Sequence, residues 1–345
     1  MRAPFFWLLL ATAPGALAHH SFAPHFDSGR SVALEGTVVR FDARNPHSYL
    51  HLEVEAGGER QRWVCESHGI TMLERNGVTR EVLAPGAVLR IEGAAARRDP
   101  RGCFFRIVEL PDGTRLSVDG PTTAGAAAPS RQPAAAASAG RDALFGTWLV
   151  RPRAGAGGGR PDPMSNYFTA AGAAASAAYD PFTDDPVLRC DTIGVRRVWG
   201  AVGTPLEIVR ASGDRIVIRY EWMDAERVIH LGLDAPPAEL DADSLGFSIG
   251  RFEDDALLIE TVYAREGIIS QYVELEDGRQ IGLLHSPAMR TRERLFVDPD
   301  TGFLSVAIDI DDPLYYTRPF PTTTITYART DLEVQPFGCI PEVGD

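Results

Sequence analysis

The sequence predicts a mostly β protein of two domains: a five-stranded OB-like barrel, then a larger antiparallel β-meander or up-and-down barrel, lipocalin-like in outline. Three observations carry this. From residue 32 to 110, short β-type runs and one short helical pattern follow in the order strand, strand, strand, helix, strand, strand. Residues 121–142 are an Ala/Pro/Ser/Gly tract with almost nothing to bury. Beyond it, β-type runs recur at short spacing, with one Ala-rich helical stretch.

The chain opens as a secretory signal over residues 1–18. Arg2 is the basic start, Phe5 to Ala13 the apolar stretch, and Ala16-Leu17-Ala18 a small-x-small cleavage site. Cleavage after Ala18 leaves His19 first and places the protein in the periplasm or outside the cell. No other stretch holds 18 consecutive apolar residues, so no membrane span is expected.

Residues 19–120 form the first domain. Val32 to Asp42 is a long strand in which Gly36 marks a bulge or sharp bend. Asn45-Pro46-His47 is read as the loop to the second strand, Ser48 to Glu55, where Leu50, Leu52 and Val54 alternate with Tyr49, His51 and Glu53. Gln61 to Glu66 follows, anchored by Trp63. Ile70 to Asn76 is a short helix stopping at Gly77. After the Pro85-Gly86 turn come Val88 to Ile91 and Phe104 to Leu110, closed by Pro111-Asp112-Gly113.

Residues 143–345 form the second domain. Phe145 to Val150 reads as a strand, followed by a Gly-rich loop and a helix over Phe168 to Tyr179. Leu206 to Arg210 and Ile216 to Tyr220 flank the Ser212-Gly213-Asp214 turn as a hairpin. Arg227 to Leu231, Ala256 to Tyr263, Met289 to Val297, Leu304 to Ile310 and Thr323 to Ala328 continue the meander.

Composition removes several functions. Net charge is −13, which disfavours nucleic acid and anionic membranes as partners. All 34 basic residues are arginines, so Schiff-base and Walker-type lysine chemistry is excluded. Four cysteines in an exported chain read as disulfides, with three possible connectivities. The simplest pairs within each half, Cys65 with Cys103 and Cys190 with Cys339. Without a Cys-x-x-Cys, redox catalysis and structural zinc are disfavoured.

Two resemblances add to this. His19-His20-Ser21-Phe22, Phe26-Asp27, Gly36-Thr37-Val38, Asn45-Pro46-His47, Trp63, Glu66, Gly77 and Pro85-Gly86 resemble an uncharacterised family of small bacterial periplasmic proteins over residues 18–118. The resemblance implies a periplasmic OB-like domain of unknown function. Cys65, Cys103 and Arg44 depart from that pattern. Tyr179-Asp180-Pro181, Asp185 to Cys190, Arg219-Tyr220-Glu221, Ser248 to Arg251, Glu293-Arg294 and Asp312-Pro313 resemble uncharacterised exported bacterial proteins over about 165–340. Here Phe247 and Phe252 stand where His and Trp are usual.

Six of the eight histidines lie between His19 and His68. Signal removal would free an α-amine at His19, and amine plus imidazole chelate a metal in one ring. A third nitrogen from His47, His20 or His25 would make a square-planar or T-shaped site of the kind that suits Cu(II). His19, His47 and His20 are therefore the candidate copper ligands, with no other cofactor expected. The competing reading is a solvated terminus.

For catalysis there is no Gly-x-Ser-x-Gly, His-Glu-x-x-His or phosphate loop. His285, Ser286, Glu293 and Asp312 can be assembled into a hydrolytic set, against the plainer reading that Glu293, Arg294 and Arg227 are charge pairs bracing a sheet. The acidic runs at Asp184 and Asp309 lack the ligand spacing of a calcium loop. The sequence thus points to an exported binding protein with a metal ion or small molecule as partner. The alternatives are a carrier of an apolar ligand inside the second barrel and, third, a hydrolase.

Overall fold

The computed structural model describes residues 22–119, 140–151, 164–238, 240–275 and 280–342. The expected signal peptide, His19, His20, residues 121–139 of the tract and the expected Gly-rich loop over 153–160 lie outside these.

The first half is built on α1 (Phe22–His25), β1 (Phe26–Asp42), β2 (His47–Ala56), β3 (Glu59–His68), α2 (Ile70–Arg75), β4 (Val88–Ala96), β5 (Gly102–Glu109) and β6 (Arg115–Ser117). β1 pairs antiparallel with β2 and β4, β2 with β3, and β4 with β5. β3 pairs parallel with β5, which closes the ring β1-β2-β3-β5-β4 in the OB order. The alternation in β2 decides its faces: Ser48, Leu50, Leu52 and Val54 point into the core, and His47, Tyr49 and His51 point out. Leu50, Leu73, Leu83, Phe105 and Val108 fill that core, with α2 over one end.

Three expectations are refined here. β1 begins at Phe26 rather than Val32, because its pairing with β4 runs through Ala94–Ala96 despite a polar stretch at Asp27–Arg30. The irregularity in the β1–β2 register falls between Val38 and Arg40. Gly36 instead permits close approach: a Cβ there would lie 2.7 Å from the Glu53 carbonyl oxygen. Finally, His47 is not held off the ladder. It opens β2, opposite His68, directly after the cis Asn45–Pro46 peptide.

The second half contains β7 (Gly146–Val150), α3 (Ala170–Ala178), α4 (Gly194–Val198), β8 (Leu206–Ala211), β9 (Arg215–Tyr220), β10 (Glu226–Leu231), β11 (Phe247–Glu253), β12 (Ala256–Val262), β13 (Gly267–Glu274), β14 (Gln280–His285), β15 (Arg290–Val297), β16 (Leu304–Asp311) and β17 (Thr323–Arg329). Nine of these strands close a barrel in the order β7-β8-β9-β10-β11-β12-β15-β16-β17. An odd number of strands cannot close with every neighbour antiparallel, so one parallel pair is obligatory. That pair is β10–β11, with the connection 232–246 returning the chain to the start of the next strand. β13 and β14 leave the ring as a separate hairpin between β12 and β15. The sequence pattern did not mark β11, β13, β14 or α4.

The cysteines pair as Cys65–Cys103 and Cys190–Cys339, with Cα separations of 4.4 and 5.8 Å. The first bridge joins residues directly opposed in the parallel β3–β5 register. The second anchors a C-terminal strap, residues 330–342, that leaves the barrel and crosses to the first sheet. There Cys339 bridges Asn45, and the Ile340 amide donates to the Asn45 carbonyl at 2.8 Å. Beside it, both terminal guanidinium nitrogens of Arg75 donate to the buried carboxylate of Glu221.

Candidate functional site

The outer face of β2, β3 and β5 carries the histidine-rich chemistry. His47 Nδ1 lies 3.0 Å from Glu342 Oε1 on the strap and 3.9 Å from Glu66 Oε1 on β3. Tyr49 donates to Glu342 Oε2 at 3.1 Å. Burial pushes the Glu66 carboxyl up to about 8, and neighbouring Glu342 adds to this. Burial opposes charge on His47, but the Glu66 carboxylate and the Glu342 hydrogen bond outweigh it and raise its pKa. His51 is held by Asp42 and Arg40, and His68 by Asp119 at 2.9 Å.

The N-terminal arm docks on this same face. Phe22 packs 5.3 Å from the Phe104 ring, and Phe104 packs 5.2 Å from His68. Phe26 completes the cluster. His19 and His20 lie outside the described residues. Among the described residues, no three His, Cys, Asp or Glu side chains converge as a metal site.

The barrel lumen is filled. Trp199, following α4, bonds through its indole N–H to Glu293 on β15 at 3.1 Å, packs edge-on to Tyr220 of β9, and accepts from Tyr327 of β17 at its carbonyl. Those three strands stand on different sides of the ring, so Trp199 sits within it. Next to it, Arg227 of β10 makes two bonds to Glu293, at 2.8 and 2.9 Å, and others to Ser248 of β11 and Thr261 of β12. Thr291 bonds the same carboxylate at 3.0 Å. Both charges are buried, and every partner is an inward-facing residue of consecutive strands. This arrangement is the bracing charge pair for Arg227 and Glu293. Arg294 points outward over the Phe296 ring instead.

The hydrolytic set does not assemble. Ser286 gives its hydroxyl to Asp312 Oδ1 at 2.7 Å and its amide to Oδ2 at 2.6 Å, and Asp312 also accepts the Tyr315 amide. Ser286 and Asp312 are a buried turn lock, and Glu293 belongs to the lumen network.

His285 opens instead onto a cleft of about 530 Å³. The cleft lies beside α4, between the end of α3, the segment Asp184–Gly194 and the base of the β13–β14 hairpin. Ala178, Ile193, Ile268 and Leu284 supply apolar wall, and Asp184, Arg189, Arg265 and Glu266 supply charge. His285 itself is 1% exposed. Its Nδ1 lies 3.3 Å from the Ser286 carbonyl oxygen, and burial holds its pKa below the ordinary value. A carbonyl only accepts, so Nδ1 carries the proton and Nε2 keeps a lone pair. Nε2 has no hydrogen-bond partner among the described residues. It approaches Gly267 so closely that a Cβ there would lie 2.8 Å away, so only glycine leaves the ring this position.

Residues 8–104 match DUF6152, a family of unknown function. No curated protein and no solved structure matches the chain. The DUF6152 match takes in β1 to β4 and ends within β5, so Asn45, His47 and Glu66 lie inside it. The barrel and its cleft lie wholly beyond it. The sequence pattern places His285 only in the possible hydrolytic set with Ser286, Glu293 and Asp312. The signal that could locate the cleft is the pair Gly267 and His285, which stand opposite each other in the β13–β14 hairpin.

Proposed function

We propose that this chain is an exported binding protein whose small-molecule ligand occupies the cleft over His285. One observation carries the reading: a buried, neutral imidazole presents an unpartnered acceptor nitrogen to a cleft of ligand size. Buried polar atoms are rarely left unsatisfied, and the Tyr179 hydroxyl on the same lining is buried without a hydrogen-bond partner among the described residues. Export is supported by the signal-like start, the two bridges and the absence, among the described residues, of a helix long and apolar enough to cross a membrane. The test is native mass spectrometry of protein isolated from the periplasm. A bound small molecule is expected, lost in Ala178→Trp, which fills the cleft. A first residue of His19 is expected in the same spectrum. Identical spectra for the two proteins would remove the cleft from the account.

A second reading keeps copper at the mature N-terminus, through the amine and imidazole of His19 with His20 or His47. It is favoured by the docking of Phe22, three positions after His19, on the face that carries His47 and His68. Copper titration separates the possibilities: one extra residue before His19 should abolish tight binding, and unchanged affinity would refute the chelate. The apolar-carrier reading has less support, since Trp199 and the Arg227–Glu293 network occupy the lumen.

A further inference from the structure

We propose that the cleft selects a small 2-hydroxycarboxylic acid, with the carboxylate on Arg265 and the neighbouring hydroxyl donating to His285 Nε2. This rests on the reading of the cleft as the ligand site.

The charged groups around the cleft are not equivalent. Asp191 stands 3.7 Å from Arg189. Asp184 accepts the Asp180 amide at 2.8 Å and the Thr183 hydroxyl at 3.0 Å. Glu266 accepts the Tyr315 hydroxyl. Arg265 alone among these has no acidic partner among the described residues, and it lies exposed at the mouth. An exposed guanidinium over an apolar wall is a bidentate seat for a carboxylate.

At the floor the requirement is the reverse. His285 Nε2 holds a lone pair, so the ligand atom facing it must carry a hydrogen. Gly267 and Gly194 flank the ring without side chains, which lets a group as small as a hydroxyl reach it. A carboxylate placed directly on this neutral acceptor would meet two lone pairs and gain nothing. The cleft therefore asks for one anionic end, one hydroxyl donor and a short hydrocarbon body against Ile193, Ile268 and Leu284. A site built around a buried acceptor rejects an analogue that lacks the donor, because the acceptor is then left dry and unpaired.

Isothermal titration of the mature protein with 2-hydroxybutanoate, butanoate and decanoate tests this. The first two differ by one hydroxyl, and decanoate keeps the carboxylate on a long, purely apolar body. 2-Hydroxybutanoate is expected to bind at least tenfold more tightly than butanoate. Arg265→Gln, an exposed change, should weaken it at least tenfold, and Ala178→Trp should abolish its binding. Equal affinity for 2-hydroxybutanoate and butanoate, or no binding of either, overturns the assignment. Decanoate binding that Ala178→Trp abolishes, without 2-hydroxybutanoate binding, overturns the hydroxyacid and leaves the cleft reading standing. 2-Hydroxybutanoate binding that survives Ala178→Trp overturns both.

Discussion

The side chain of Asn45 donates to the main-chain carbonyl of Phe337, 292 positions further along the chain. Its oxygen faces the other way and accepts from Thr71, at 3.4 Å from the amide and 3.2 Å from the hydroxyl. One buried amide thus ties the start of β2, the first turn of α2 and the C-terminal strap. Asn45→Ala should cost about 1–3 kcal/mol, because it strands a buried carbonyl and removes an acceptor from α2. Urea unfolding reads the loss, and hydrogen exchange at the Ile340 amide should rise with it. An unchanged midpoint would mean the strap holds without Asn45.

The cluster on the other side of His47 makes stability depend on pH. Glu66 has its folded pKa raised to about 8 from 4.5, and His47 has its own raised from 6.5. Groups shifted upward stabilise fully below their unfolded values and lose that stabilisation as pH rises through the folded ones. The melting temperature should therefore fall from mild acid towards about pH 9. Glu66→Gln mimics the protonated acid and should melt a few degrees above the native protein at the alkaline end, with little difference in acid. Parallel melting curves across the range would show that Glu66 does not titrate as described.

In the lumen, Arg227→Met leaves the Glu293 charge buried with only Trp199 and Thr291 as donors. A loss of about 3–5 kcal/mol is expected. Pairing it with Glu293→Leu removes the stranded charge, so the double variant should recover most of that loss in denaturant titrations. A double variant as unstable as the single would show that the network's hydroxyl partners, not the charge, set the cost.

The two bridges close loops of 38 and 149 positions. In the chain-entropy model these restrict the unfolded chain by about 4 and about 5 kcal/mol. Cys190→Ser with Cys339→Ser should destabilise at least as much as Cys65→Ser with Cys103→Ser. It should also release the strap to proteolysis, whereas the β3–β5 pair remains laddered without its bridge. Protection of the strap in the Cys190/Cys339 variant would assign its docking to Asn45 and Glu342 alone.

The two cores are separate clusters, one around Leu50 and Phe105 and one around Trp148 and Leu257. Residues 19–120 should on that ground melt cooperatively when isolated. The transition should lie below that of the same residues in the full chain, because Asn45 and Glu66 lose the strap that covers them. Absence of a cooperative transition with the Cys65–Cys103 bridge intact would make the junction obligatory for folding.

Local chemistry by itself determined a good deal. Alternation in Ser48 to Glu55 set which face of β2 is buried, Gly77 ended a short helix, and the strand-helix order was enough for an OB-type ring. Regular apolar periodicity and turn residues act over a few positions, so they can be read directly. What lay beyond reach was everything settled by distant partners. β11 is half-buried and interrupted by Gly250, so it shows no clean period until Ile229 and Leu257 pack against that glycine. An odd strand count forced a parallel β10–β11 pair that no local pattern encodes. His47 looked like a loop ligand, yet became a strand residue held by Glu342, nearly the whole chain away. His285 acquired its unpaired acceptor only when Gly267, Gly194 and Ser286 closed around it. Long-range pairing, not residue type, decides whether a histidine is a brace, a surface group or the floor of a cleft.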